Sequence, residues 1–287
     1  MKLVFFNPKD SFTQEQQKRL SKFGQVIYTK TREALPVPKL LEMAKGTDII
    51  ACDPDPLGGF EKAKEKLSKI IESLPTLKGI CLSTTSFGWV DLELCKKRGI
   101  PVSNIPGYSK ESVAEQAIAF LLGASKRIFI SDRRTQKDKY QLTQGSELKD
   151  KTLGIIGLGN IGGTVAGLAK GIGMKVIAFN RTKTQMTGVK MVSLNELFKQ
   201  SDAITLHTTH EVANNGMIGK AEIAKMKKGV ILVNTVDREL VDEKAMSEAL
   251  KTGKVDTYVY EGEDLIHTPL AKLENAIGFK GFAWYTK

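Results

Sequence analysis

The residues best suited to chemistry stand together in Lys151-Thr-Leu-Gly-Ile-Ile-Gly-Leu-Gly-Asn-Ile-Gly-Gly163. Leu153 to Ile156 is a short apolar run of the kind that forms a buried parallel strand. Gly157, Gly159 and Gly162 then give the spacing G-x-G-x-x-G, and Thr164 to Lys170 continues as a helix. Each glycine has a task. Gly157 permits a tight strand-to-helix turn, Gly159 lets a pyrophosphate approach the backbone, and Gly162 lets the helix pack against the strand. The first helical residues, Asn160 and Ile161, present free N–H groups and the positive end of the helix dipole. This spacing is weak evidence alone and strong between a strand and a helix. It points to a dinucleotide.

The end of the next strand separates the two nicotinamide dinucleotides. An acid there binds the ribose 2′-hydroxyl, whereas a nearby Arg accepts a 2′-phosphate. This chain has Asn180-Arg181-Thr182-Lys183. Asn180 does not repel a phosphate, and Arg181 and Lys183 can pair with one. NADP is expected, with NAD as the alternative.

These residues need two scaffolds to position them. A chain of 287 residues is long enough for two domains with separate cores. The expected fold class is α/β, two doubly wound parallel-sheet domains. Residues 1–103 form a flavodoxin-like substrate domain and residues 104–287 a Rossmann dinucleotide-binding domain. In the first, Leu3–Phe6, Val26–Tyr28, Asp48–Cys52, Gly79–Leu82 and Pro101–Ser103 are expected strands. Gln14–Lys22, Lys39–Lys45, Phe60–Glu72 and Leu92–Lys97 are the helices between them. One long apolar helix is expected from Lys110 to about Ile130, buried in part by a second subunit. The charged stretch from Asp132 to Gln144 is expected to be a surface connection. After the glycine turn, strands at Lys175–Phe179, Ala203–Leu206, Val230–Val233 and Val255–Tyr260 alternate with helices.

Composition narrows the class. Cys52, Cys81 and Cys95 lie far apart with no C-x-x-C, which argues against a disulfide framework or a metal site and fits a reducing cytoplasm. No apolar run reaches membrane-span length, and the N-terminus lacks the apolar core of a signal peptide. The formal charge of +11 is spread over solvated helices with no nucleic-acid motif, so it reads as steering of anionic ligands.

From about Gly79 onward the chain resembles the D-isomer-specific, NAD(P)-dependent 2-hydroxyacid dehydrogenases. Ile100-Pro-Val-Ser-Asn-Ile-Pro-Gly-Tyr-Ser-Lys-Glu-Ser-Val-Ala-Glu115 is similar to that family's linker and interdomain helix, and Lys151–Gly162 to its fingerprint. Ser201–His207 resembles the strand flanking the adenosine. Gly229–Thr235 and Leu240–Glu243 bracket the turn that carries a catalytic Arg in the family. The resemblance implies a substrate domain, a nucleotide domain and a cleft between them, a homodimer, and hydride transfer to a small 2-oxo acid. It adds His207, Thr208, Thr235 and Val236 as cofactor-binding candidates. It also adds Ser86, Phe87 and Gly88, in the small hydroxylated loop Ser83–Trp89, as substrate-binding candidates. On its residues alone that loop is either an anion cup of backbone N–H groups or an ordinary polar loop.

The family's chemistry uses an Arg on the substrate carboxylate, a His that protonates the carbonyl oxygen, and a Glu that holds the His. The Glu matches Glu263. Where the family reads Asn-Thr-Ala-Arg-Gly, this chain reads Asn234-Thr-Val-Asp-Arg238, so Asp237 stands at the Arg position and Arg238 at the glycine. Where the family has its His, this chain has Gly281, preceded by Lys280. Tyr258 replaces an Asp near the nicotinamide amide, and the family's returning C-terminal helix is largely missing. Glu263, Arg238 and Lys280 are therefore the catalytic candidates, Lys280 being either a proton donor or a solvated lysine. His207 and His210 fall on the adenosine side and His267 in a surface insertion, and all three read as structural or exposed. Two functional readings stay open, an oxidoreductase of this type with altered activity and a catalytically inactive dinucleotide-binding relative.

Overall fold

The computed structural model describes residues 1–286 and divides into two compact units, Met1–Tyr108 and Ser109–Lys287. In the first unit five parallel strands run β1 (Lys2–Pro8), β2 (Gln25–Thr29), β3 (Ile49–Cys52), β4 (Gly79–Leu82) and β5 (Val102–Ser103). Their spatial order is β2-β1-β3-β4-β5, the flavodoxin-like order. Helices α1 (Gln14–Ser21), α2 (Val37–Ala44), α3 (Phe60–Ser73) and α4 (Leu92–Lys97) connect them. The sequence dictates the details. Thr13 and Gln16 form a capping box that starts α1. In α3, Ala63, Leu67, Ile70 and Ile71 bury one face against Val4, Ile50 and Ile80 of the sheet.

The second unit opens with α5 (Lys110–Ser125) and α6 (Ile128–Thr135). It continues with β6 (Thr152–Ile156), α7 (Asn160–Gly171), β7 (Lys175–Phe179), β8 (Lys190–Met191), α8 (Leu194–Gln200), β9 (Ala203–Leu206) and α9 (Lys220–Lys225). Then follow β10 (Val230–Asn234), α10 (Glu243–Lys251), β11 (Val255–Glu261) and β12 (Ala276–Phe279). All neighbours are parallel, in the order β12-β11-β10-β9-β6-β7-β8. Taken from its far edge this is the Rossmann order with one added strand. The expected α/β class with two doubly wound parallel sheets is what the chain adopts.

One expected element is absent. The helix from Lys110 to about Ile130 is two helices, broken at Arg127, which takes the left-handed conformation with φ +60°. That conformation is costly for a residue with a Cβ. It is held because the Arg127 guanidinium grips both oxygens of Asp256 at 2.5 and 2.7 Å and also donates to Thr257 and to the Gln144 carbonyl. A side chain at Gly123 would overlap the Phe129 ring, so this glycine lets α6 fold back on α5. Helix α5 buries Ala114, Ala117, Phe120 and Leu121 in the core shared with α7 and the sheet of its own unit. The edge strands β8 and β12 are further elements that periodicity did not mark.

Candidate functional site at the carboxyl edge of the Rossmann sheet

The site begins at the glycine turn. Gly157 has φ +98°, and a Cβ there would stand 2.5 Å from the His207 carbonyl oxygen, so neither the backbone angle nor the space admits another residue. A Cβ on Gly162 would overlap the Gly157 carbonyl oxygen, which is why α7 can pack tightly on β6. Gly159 differs, since a Cβ there meets nothing within 4 Å. Its small size serves neither packing nor a special angle, because its φ is −92°. The open space lies at the N-terminus of α7, where a pyrophosphate would rest with Asn160 and Ile161 beside it.

At the end of β7, the Asn180 amide oxygen accepts from the Leu158 N–H at 2.9 Å, and its nitrogen donates to Thr182. Asn180 thereby ties the glycine turn to the next loop. The exposed Arg181 pairs with Glu211 at 3.1 and 3.2 Å. A cavity of about 340 Å³ lies beside them, lined by Asn180, Thr182, Lys183, Thr184 and Glu196 among others.

Strand β9 is followed by His207 and Thr208. The His207 Nε2 lies 2.9 Å from the Thr205 hydroxyl, while its Nδ1 is buried with no partner among the described residues. Burial pushes its pKa down to about 3, so the ring is neutral. The Thr235 hydroxyl, at the end of neighbouring β10, is also buried without a partner there. An unmet buried donor or acceptor costs roughly 1–3 kcal/mol. Two of them at the carboxyl ends of the adjacent strands β9 and β10 mark places where a ligand's polar atoms are due. Asn234, fully buried, accepts from the Val236 N–H and donates to the Asp237 carbonyl and the Tyr258 hydroxyl, so it shapes the turn after β10.

That turn brings together residues far apart in sequence. Asp237 meets His210, with Asp237 Oδ2 and His210 Nδ1 3.0 Å apart, and His210 Nε2 lies 2.5 Å from the Asn215 amide oxygen. Burial raises the Asp237 pKa, and the charge of His210 opposes that. Sequence reasoning set His210 aside as structural or exposed. Its partner is 27 positions away, and no local signal joins the loop after β9 to the loop after β10.

Arg238 does not accompany Asp237. Its guanidinium donates to Glu243 at 2.5 and 2.9 Å and to the Asp264 carbonyl at 2.5 Å, and its stem packs on Gly262. It clamps the loop 262–264 to the start of α10, and so positions Glu263. The half-buried Glu263 is faced by Lys280, whose ammonium donates to the Glu263 carbonyl and lies 3.7 Å from its carboxylate. Lys280 remains two-thirds exposed, at 67%. Gly281 has open space where a Cβ would go. His267 is exposed and pairs with Asp264 at 3.2 Å.

In the first unit, the loop after β4 carries Ser86, Phe87 and Gly88. The Trp89 indole donates to the Ser86 carbonyl at 3.1 Å, Thr84 donates to the same oxygen, and Phe87 is exposed. The Thr85 hydroxyl donates to the Ile105 carbonyl, and the Asn104 side chain donates back to the Thr85 carbonyl.

Residues 118–278 match the family described as D-isomer specific 2-hydroxyacid dehydrogenase, NAD binding domain. That match spans more than half of the chain. The chain belongs to the D-isomer specific 2-hydroxyacid dehydrogenases. A D-3-phosphoglycerate dehydrogenase of Archaeoglobus fulgidus is 37% identical over 220 residues, 73% of this chain and 42% of that protein. A glyoxylate reductase of Thermococcus litoralis is 32% identical over 277 residues, 91% of this chain and 81% of that one. This dehydrogenase-family chain thus spans less than half of the first relative's length and about four fifths of the second's. Among solved structures, an acyclic imino acid reductase (Bsp5) in complex with NADPH and D-Arg superposes with a TM-score of 0.85 at 27% identity, covering 100% of this chain and 91% of that one. These matches support a nicotinamide-dependent oxidoreductase of the 2-hydroxyacid dehydrogenase type.

Proposed function

We propose that the chain binds NADP(H) and reduces a small carbonyl compound bearing a carboxylate, with NAD(H) as the weaker cofactor. The observation that carries this is the carboxyl edge of the Rossmann sheet. At this edge an open Gly159 stands at a helix N-terminus, and two buried polar atoms at the ends of β9 and β10, His207 Nδ1 and Thr235 Oγ1, lack partners among the described residues. When bound, the dinucleotide supplies hydride. Asn160, Ile161 and Gly162 hold its pyrophosphate, and Thr208 and Val236 flank it. Asn180, Arg181 and Thr182 favour a 2′-phosphate because Asn180 stands where an NAD-selecting acid would end the strand. Ser86, Phe87 and Gly88 take the substrate's carboxylate. Glu263 is held by Lys280, with Arg238 fixing their loop.

Calorimetry with NADPH and NADH tests the reading. Tighter binding of NADPH is expected, and failure of both to bind would reject it. A second reading has its own observation, the presence of Asp237 and Gly281 where the family carries Arg and His. In that reading the chain binds the dinucleotide and turns nothing over, serving as a sensor. NADPH binding without consumption of NADPH against glyoxylate, hydroxypyruvate and pyruvate would favour it.

The same proposal includes a homodimer. Tyr140 is 89% exposed and Leu142 82% exposed on the irregular segment after α6, and their burial against a second copy would remove that apolar surface from water. Sedimentation at micromolar concentration should give twice the mass of one chain. A reducing cytoplasm suits the three free cysteines. No helix among the described residues is long and apolar enough to cross a membrane.

A further inference from the structure

We infer that His210, oriented by Asp237, is the group that gives the proton to the substrate's carbonyl oxygen. This rests on the reading of the chain as an NADP(H)-dependent reductase. His210 stands on the loop leaving β9 and Asp237 on the turn leaving β10, two adjacent strands, at the carboxyl edge where α/β sheets bind ligands. The two unpartnered polar atoms, His207 Nδ1 and Thr235 Oγ1, lie three and two residues away along the same two loops. Asp237 holds Nδ1 at 3.0 Å, as an orienting carboxylate holds a catalytic imidazole. The other nitrogen, Nε2, faces an oxygen as well, Asn215 Oδ1 at 2.5 Å. Both ring nitrogens are thus within hydrogen-bond distance of a side-chain oxygen. The Asn215 side chain marks the place beside Nε2 where a carbonyl oxygen would be received. His210 is largely but not wholly buried, with 22% of its side chain exposed, so an acceptor can reach it and solvent can recharge it.

The arrangement also accounts for Asp237. An isolated carboxylate at this edge would repel an acidic substrate. Here the Asp237 carboxylate is engaged by the His210 ring at 3.0 Å. In the reaction the carbonyl carbon receives the hydride with its electron pair, and the C=O π pair moves to oxygen. The oxygen takes the Nε2 proton of His210. The neutral imidazole left behind regains a proton from solvent.

The test uses the full chain, NADPH, and glyoxylate, hydroxypyruvate and pyruvate at millimolar concentration. His210→Ala should leave the NADPH Kd within about twofold and slow single-turnover NADPH oxidation about 10²–10⁴-fold, the usual loss for a positioned acid. Added imidazole should restore part of the rate. Asp237→Asn should keep NADPH binding, lower kcat, and abolish the downfield proton resonance of the His210 Nδ1–H, which a merely structural contact would not couple to turnover. A His210→Ala variant with wild-type turnover, or a wild type that binds NADPH and reduces no member of the panel, would overturn the role of His210. Absence of binding by both dinucleotides would instead overturn the cofactor reading on which it stands.

Discussion

At Arg181 the structure adds a competitor to the expected phosphate contact. The guanidinium is already engaged by Glu211, and that pair holds the Arg181 pKa up and the Glu211 pKa down. A 2′-phosphate must displace a carboxylate that is well solvated and weakly held. Arg181→Ala should therefore weaken NADPH roughly tenfold or more while leaving NADH nearly unchanged, as for a lost charge-assisted pair. Glu211→Gln should do the reverse and tighten NADPH a few-fold by freeing the guanidinium. Titrating both cofactors against both variants checks this, and equal loss for the two cofactors in Arg181→Ala would show that Arg181 does not read the phosphate.

Among elements, the glycine turn separates two roles that one motif hides. Gly159→Val puts a side chain into open space, so the thermal transition should move little while dinucleotide binding is lost. Gly162→Val drives a side chain into the Gly157 carbonyl, and overpacking of this kind costs at least about 1–3 kcal/mol. That variant should lose stability and binding together, which calorimetry and thermal unfolding would distinguish. The end of β11 makes a second case. Glu261 is 9% exposed and accepts the N–H groups of Phe282 and Ala283 at 3.2 and 3.0 Å, pinning the last segment. Burial raises its pKa from 4.5 to about 7, against the two hydrogen bonds that lower it. The folded state therefore holds the proton longer than the unfolded chain. Stability is fully present below the unfolded value and falls as pH rises from about 4.5 to about 7, by up to about 3 kcal/mol. Glu261→Gln keeps the acceptor oxygen without the charge. It should match the wild type near pH 4.5 and unfold at a higher temperature at pH 8, and identical Tm profiles would refute the assignment.

For the whole molecule, the expected consequence is slow chemistry on simple 2-oxo acids. With Asp237 in place of a carboxylate-binding Arg, orientation of the substrate rests on fewer contacts. Turnover of glyoxylate or pyruvate should fall well below the roughly 10 s⁻¹ typical of enzymes. Asp237→Arg alone should lower it further, because it strips His210 of its partner. Asp237→Arg with Gly281→His should raise it, since a Cβ at Gly281 meets nothing within 4 Å and Glu263 lies near in the fold through Lys280. Arg238 should be kept in that variant, because its guanidinium pins the loop that carries Glu263. The pair must be changed together, as residues that act as a unit are not additive. Steady-state rates for the two singles and the double decide it.

Much was determined by the sequence alone, and for a local reason. Strand, turn and helix around Gly157–Gly162 follow from neighbouring residues, so this strand-turn-helix unit and the alternation of both sheets were legible from spacing. Asp237, Gly281 and Lys280 were legible as departures because they fall inside a recognisable linear pattern. The tertiary structure decided what depends on partners distant in the chain. The break at Arg127 exists because Asp256, 129 positions later, holds the guanidinium. Arg238, expected to serve the chemistry, is turned to Glu243 and the Asp264 carbonyl by the packing of α10 against the loop after β11. His210 meets Asp237 only because parallel pairing sets β9 beside β10 and brings their carboxyl ends, and the loops that leave them, to one edge. Periodicity records which face of an element is buried. It carries no information about which loop tips a parallel sheet gathers together.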